Sequence, residues 1–159
     1  MKKLLVVLLA LAAACRTAPP ATTPTGAAYG AGSPREAVEA FLSGIRAGDL
    51  QAISAVWGTD RGPLVTQTEY SRDEIEKREL IMICYFRHDS ARVLDQVSSG
   101  EPNHTSYRVE LTRGTRTRTP TISTIQGPQD RWYVVNADIM AVRDFCDPGS
   151  QNTRPPGPR

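Results

Sequence analysis

Asp138 closes the last apolar stretch of the chain and stands at the same parity as Asn136, Val134 and Trp132. On a strand such residues share one face. A carboxyl and a carboxamide side by side can do acid–base work if burial shifts the carboxyl's proton affinity; the other reading is a strand-end charge facing water. His88 and His104 are the only histidines. A metal site would need a third ligand at a fixed distance, and no spacing supplies one, so neither metal nor cofactor is expected. His88 reads instead as a helix C-terminal residue, where positive charge is favourable. Arg113, Arg116 and Arg118 make a basic strip, which either meets an anionic polymer or lipid headgroups or is a solvated face paired with Glu110. No complete catalytic set stands out, and no catalysis is expected.

These residues sit in a chain of 159 residues with 40% hydrophobic and 23% charged side chains, enough for one globular domain. The first fifteen residues are set apart. Met1-Lys2-Lys3 is basic and Leu4–Ala14 is an apolar run of about half the length a spanning helix needs, as in a secretory signal. Ala12-Ala13-Ala14 leading into Cys15 resembles a bacterial lipobox. That resemblance implies removal of residues 1–14, lipidation of Cys15, and anchoring in the cell membrane or outer membrane on the periplasmic or cell-surface side; a plain secretory signal is the alternative. Arg16, in place of Asp, favours the outer membrane. Without Lys2 and Lys3, basic and acidic side chains balance at 17 each, which argues against a nucleic-acid partner. With Cys15 lipidated, Cys84 and Cys146 remain. An exported compartment permits a bridge between them, and two buried free thiols are the alternative.

Residues 15–32 are almost wholly Ala, Thr, Pro and Gly and read as a tether. Residues 148–159 read as a disordered Pro-rich tail, which leaves 33–147 for the domain. Ser33-Pro34-Arg35-Glu36 is a capping signal ahead of Val38, Phe41, Leu42 and Ile45 at helical spacing. Gly48 is the stop, and Asp49 opens a second helix carrying Leu50, Ile53, Val56 and Trp57. Ser71 and Glu74 form a further capping box, with Tyr70 and Ile75 placed as a hydrophobic staple. The charged stretch Glu74–Glu79 then runs into Leu80–Phe86, apolar all round, which predicts a helix buried on several sides; a strand start over Ile81, Ile83 and Tyr85 is the alternative. Beyond Asp89 the period falls to two, most clearly where Tyr107, Val109 and Leu111 alternate with polar residues. Three helices followed by about four strands predict an α+β fold, helices packed on one face of an antiparallel sheet.

Ser33-Pro34 through Asp49-Leu50, together with the closing run Asp130-Arg131-Trp132-Tyr133-Val134-Val135, resembles the nuclear transport factor 2-like superfamily, over about Ser33 to Ile139. The resemblance implies a cone: a strongly curved sheet around the helices, with a pocket at its open end. Members include ketosteroid isomerase-like enzymes, SnoaL-like cyclases and non-catalytic modules, and dimers through the sheet are frequent. If the Asp138 face points into such a cone, Trp57, Tyr85, Asn136 and Asp138 line the pocket. The function expected is a lipid-anchored extracytoplasmic module for a small apolar ligand or an envelope protein. An isomerase- or cyclase-type enzyme using a pocket carboxylate is one alternative, and a structural accessory of an envelope complex is the other.

Overall fold

The computed structural model describes residues 29–98 and 100–147. The expectations for residues 1–14, lipidation of Cys15, the tether as far as residue 28 and the tail from 148 lie outside the described residues. Among the described residues no helix is long and apolar enough to cross a membrane.

Helix α1, Pro34–Ala47, begins where the sequence signals it. The Ser33 hydroxyl accepts from the Glu36 amide, but Glu36 turns its carboxylate to the Gly32 amide at 3.1 Å and leaves the reciprocal half of the box unmade. Gly48, at φ 67°, ends the helix in the left-handed conformation. One face of α1, carrying Val38, Phe41, Leu42 and Ile45, is buried. Helix α2, Leu50–Val56, is capped by Asp49, whose Oδ1 accepts from the Ala52 amide. Helix α3, Arg72–Phe86, has both halves of the Ser71–Glu74 box, and the Tyr70 ring lies 5.0 Å from the Arg78 guanidinium.

The helix continues through Phe86, so the strand alternative fails. Burial around α3 nevertheless differs from expectation. Leu80 and Ile81 are about half exposed, whereas Glu79 is 2% exposed. The buried stripe is Ile75, Glu79, Met82, Ile83 and Phe86, which is the spacing one helix face dictates.

Two short strands follow α2, β1 (Gly58–Thr59) and β2 (Gly62–Pro63), joined as a hairpin. The main sheet is antiparallel and comprises β3 (Ser90–Val97), β4 (His104–Arg113), β5 (Arg116–Arg118), β6 (Thr121–Gln126) and β7 (Trp132–Ala137), in the order β3-β4-β6-β7 with β5 also on β4. Leu111 lies opposite Arg118 and Arg108 opposite Thr121, so β5 and β6 keep one register on β4. They are two halves of a single strand, broken at Pro120, which has no amide to donate. The four strands expected are therefore present, one of them bent. Register slips by one residue on both edge strands, between Val93 and Gln96 on β3 and between Val134 and Asn136 on β7. Such bulges bend and twist a sheet, and here the sheet curves over α1.

The space between α1 and the sheet is filled. Phe41, Phe86 and Phe145 are fully buried together with Leu111, Ile122, Val109 and Val134, and Phe41 meets Phe86 edge to face with centroids 6.4 Å apart. Packing also begins earlier than Ser33. Ala31, read as tether, is buried and exchanges two backbone hydrogen bonds with Trp132 at 2.9 and 3.0 Å, while the Gly30 amide reaches the Ala55 carbonyl.

Candidate functional site

The last strand decides what becomes of Asp138. Val134 pairs with Thr124 and faces the core, but the next register pair is Asn136 with Ser123, so Val135 is an extra residue on β7. One extra residue exchanges the two faces of everything beyond it. Ala137 turns inward instead, and Asn136 and Asp138 are exposed. This corrects the pocket expected there. Asp138 Oδ1 accepts from the Ala141 amide at 3.2 Å, so Asp138 holds the turn that follows the strand. Trp57 has left α2 and bridges Val134, and both it and Tyr85 are half-buried against the core. The four residues do not converge on one site.

A different carboxyl is desolvated. On α2, Ile53 and Val56 point into the core while Leu50 and Ser54 look towards α3. Glu79 comes from the buried stripe of α3. Ser54 Oγ donates to Glu79 Oε1 in a short hydrogen bond. Burial pushes the Glu79 carboxyl above the usual carboxylate range; the Ser54 hydrogen bond opposes this and the negative charge of Glu76 adds to it. Glu79 borders a cleft of about 550 Å³ between α2 and α3, within the range of small-molecule sites. Leu50, Ala52, Ala55 and Ile75 give it apolar walls, and Tyr29 and Val65, both partly exposed, stand at its edge. Asp49, Gln51, Arg72 and Glu76 complete its polar lining. None of Trp57, Tyr85, Asn136 and Asp138 lines this cleft.

The histidines lie roughly 25 Å apart, His88 beside the end of β4 and His104 at its start, given the rise of a strand. His88 is buried, with Nδ1 2.9 Å from the Phe86 carbonyl. Burial lowers its proton affinity and keeps the ring neutral, which corrects the expectation of a positive charge at the helix end. Among the described residues no group of three or more His, Cys, Asp or Glu side chains could hold a metal ion.

Cys84 and Cys146 are joined in a disulfide with Cα atoms 5.0 Å apart. The bridge ties the last turn of α3 to the end of a 3-10 segment, Met140–Phe145, which buries Val142 and Phe145 in the core. The basic strip is spent on the same segment. Arg113 donates to the Phe145 carbonyl, Arg116 to the Asp144 carbonyl at 2.8 Å, and Arg118 grips the Asp144 carboxylate with Nε and Nη2 at 3.2 and 2.5 Å. Its partner is thus the chain's own C-terminal segment rather than Glu110, which pairs with Arg92 across β3 and β4. With Arg108 on Asp95 as well, these two strands turn charged side chains outward.

No protein-family model and no curated protein matches this chain. Similar solved structures include a protein assigned as a dehydratase of the NTF2-like family from Streptomyces avermitilis, at 15% identity over 65% of this chain and 88% of that one, TM-score 0.39. Another is an M. tuberculosis LEH-like epoxide hydrolase, at 15% identity over 70% and 86%, TM-score 0.32. These are likenesses of fold outline; the α+β architecture stands on the topology itself.

Proposed function

We propose that this chain is a lipid-anchored, extracytoplasmic binding module of nuclear transport factor 2-like fold. Its ligand sits in the cleft between α2 and α3. The observation that carries this reading is the pairing of a filled core with an outer cleft that has apolar walls and a buried carboxyl at its border. Binding sites of this kind place a few polar groups in an apolar hollow to fix orientation. The Leu4–Ala14 run leading to Cys15 supports the anchor, and a disulfide suits an oxidising compartment outside the cytoplasm.

The test is to express the full chain in a bacterial host, recover it from the envelope and record native mass spectra. Wild type is expected in the membrane fraction with a small-molecule adduct. Cys15→Ala should leave that fraction, and Ala52→Trp, which fills the cleft, should lose the adduct. An adduct that survives Ala52→Trp, or none in wild type, overturns the cleft reading. Unchanged localisation of Cys15→Ala overturns the anchor.

A second reading, an acid–base enzyme on the same cleft, is favoured by one observation, the raised proton affinity of Glu79. A ligand recovered chemically altered from wild type but intact from Glu79→Gln would decide for it.

A further inference from the structure

The Ser54 hydrogen bond uses one oxygen of Glu79 and leaves the other. Among the described residues nothing hydrogen-bonds Glu79 Oε2, and no buried side-chain oxygen or nitrogen without a partner remains. Oε2 is therefore not sealed in, and since Glu79 lines the cleft, it faces that space. A carboxyl held this way, on a residue 2% exposed, costs stability unless something pairs with it.

The charges around it select the partner. Among the described residues, Glu79, Glu76 and Asp49 line the cleft against the single guanidinium of Arg72, which is exposed. An anion seated at Glu79 would meet repulsion in a partly desolvated site. A neutral hydrogen-bonding group would gain nothing from Glu76 or Asp49. A cation gains from all three carboxylates, and most from the one least screened by water. The walls then set the rest of the ligand, because apolar atoms leaving water are stabilised on Leu50, Val65 and Ile75.

We propose that the cleft takes an organic cation, an ammonium group paired with Glu79 Oε2 and carried on an apolar body that packs on Leu50, Val65 and Ile75. This rests on the binding-module reading and names its ligand class. The pairing favours the charged form of Glu79.

Three probes of one shape test it: phenethylamine, phenethyl alcohol and phenylacetate. They are titrated calorimetrically into the full chain in nanodiscs near pH 7, with empty nanodiscs as the blank. Wild type should bind the amine at least about tenfold more tightly than the alcohol, as expected for a charged hydrogen bond in a shielded site. Phenylacetate should be weakest. Glu79→Gln should bring the amine to the alcohol's affinity. Phenethyl alcohol bound by Glu79→Gln as tightly as by wild type shows that the variant is folded and guards against misfolding as the cause. Equal affinity of amine and alcohol in wild type, or a preference that survives Glu79→Gln, overturns this inference and leaves the binding-module reading standing. If none of the three binds, this inference is overturned, and the adduct spectrum of wild type and Ala52→Trp decides the binding-module reading.

Discussion

Ser54 on α2 donates its hydroxyl to Glu79 on α3, joining the two helices where they border the cleft. A neutral hydroxyl facing a carboxyl does not compensate for taking a charge out of water, so the folded state holds a proton on Glu79 more firmly than the unfolded chain does. Above the unfolded carboxylate pKa of about 4.3, this group therefore subtracts from stability, and the deficit grows as pH rises through the folded value. Glu79→Gln should melt higher than wild type at pH 7, with the gain shrinking towards zero near pH 4. Thermal melts followed by circular dichroism across that range check it, and a variant less stable than wild type at pH 7 would refute the account.

His88 works in the opposite sense. Its ring is kept neutral by burial, and Arg46 nearby lowers its proton affinity further, while the Phe86 carbonyl and Asp89 pull the other way. Stability from a histidine held neutral is present above the unfolded value of about 6.5 and drains as pH falls below it. Wild type should lose stability between pH 7 and pH 5 more steeply than His88→Gln. The comparison is one of slopes, because the substitution also alters packing; parallel slopes would show that His88 does not titrate in this window.

Much of the fold is legible in the residues, and the site is not, for reasons that can be named. Ser33, Gly48, Asp49 and Ser71 mark helix ends through local hydrogen bonds and backbone conformation, which sequence encodes directly. Tyr107, Val109 and Leu111 face inward as their alternation predicts. Asn136 and Asp138 fail because alternation is read forward from Trp132, and nothing in Val134-Val135-Asn136 marks the extra residue that turns the strand over. Glu79 was within reach. It lies four residues after Ile75 and seven before Phe86, on one stripe, but its neighbours Glu76, Lys77 and Arg78 make the stretch look like a charged surface.

Asp138 is accordingly a structural residue of modest worth. Its carboxylate caps the backbone of the turn into the Met140–Phe145 segment, and removing such a cap costs about 0.5–2 kcal/mol. Asp138→Ala should lower stability by an amount in the lower half of that range and leave ligand retention in the cleft unchanged. Denaturant unfolding and the adduct spectrum are the two measurements. Loss of the adduct in this variant would return Asp138 to the site.

The C-terminal segment is held twice, covalently by Cys84–Cys146 and electrostatically by Arg118 on Asp144. The bridge closes a separation of 62 residues, for which chain entropy gives about 4 kcal/mol of stabilisation as an upper figure. The ion pair is partly exposed on both sides and two-pronged, which places it nearer about 1 kcal/mol. Both act on Val142 and Phe145, so their effects should not add. Once the bridge is removed by Cys84→Ser with Cys146→Ser, the segment can leave the core without unfolding the rest, and Asp144→Ala should then shift local opening more than global stability. Hydrogen exchange at residues 140–145 reads the first, and denaturant unfolding reads the second. If Asp144→Ala costs the same global stability with and without the bridge, the segment and the core unfold as one unit.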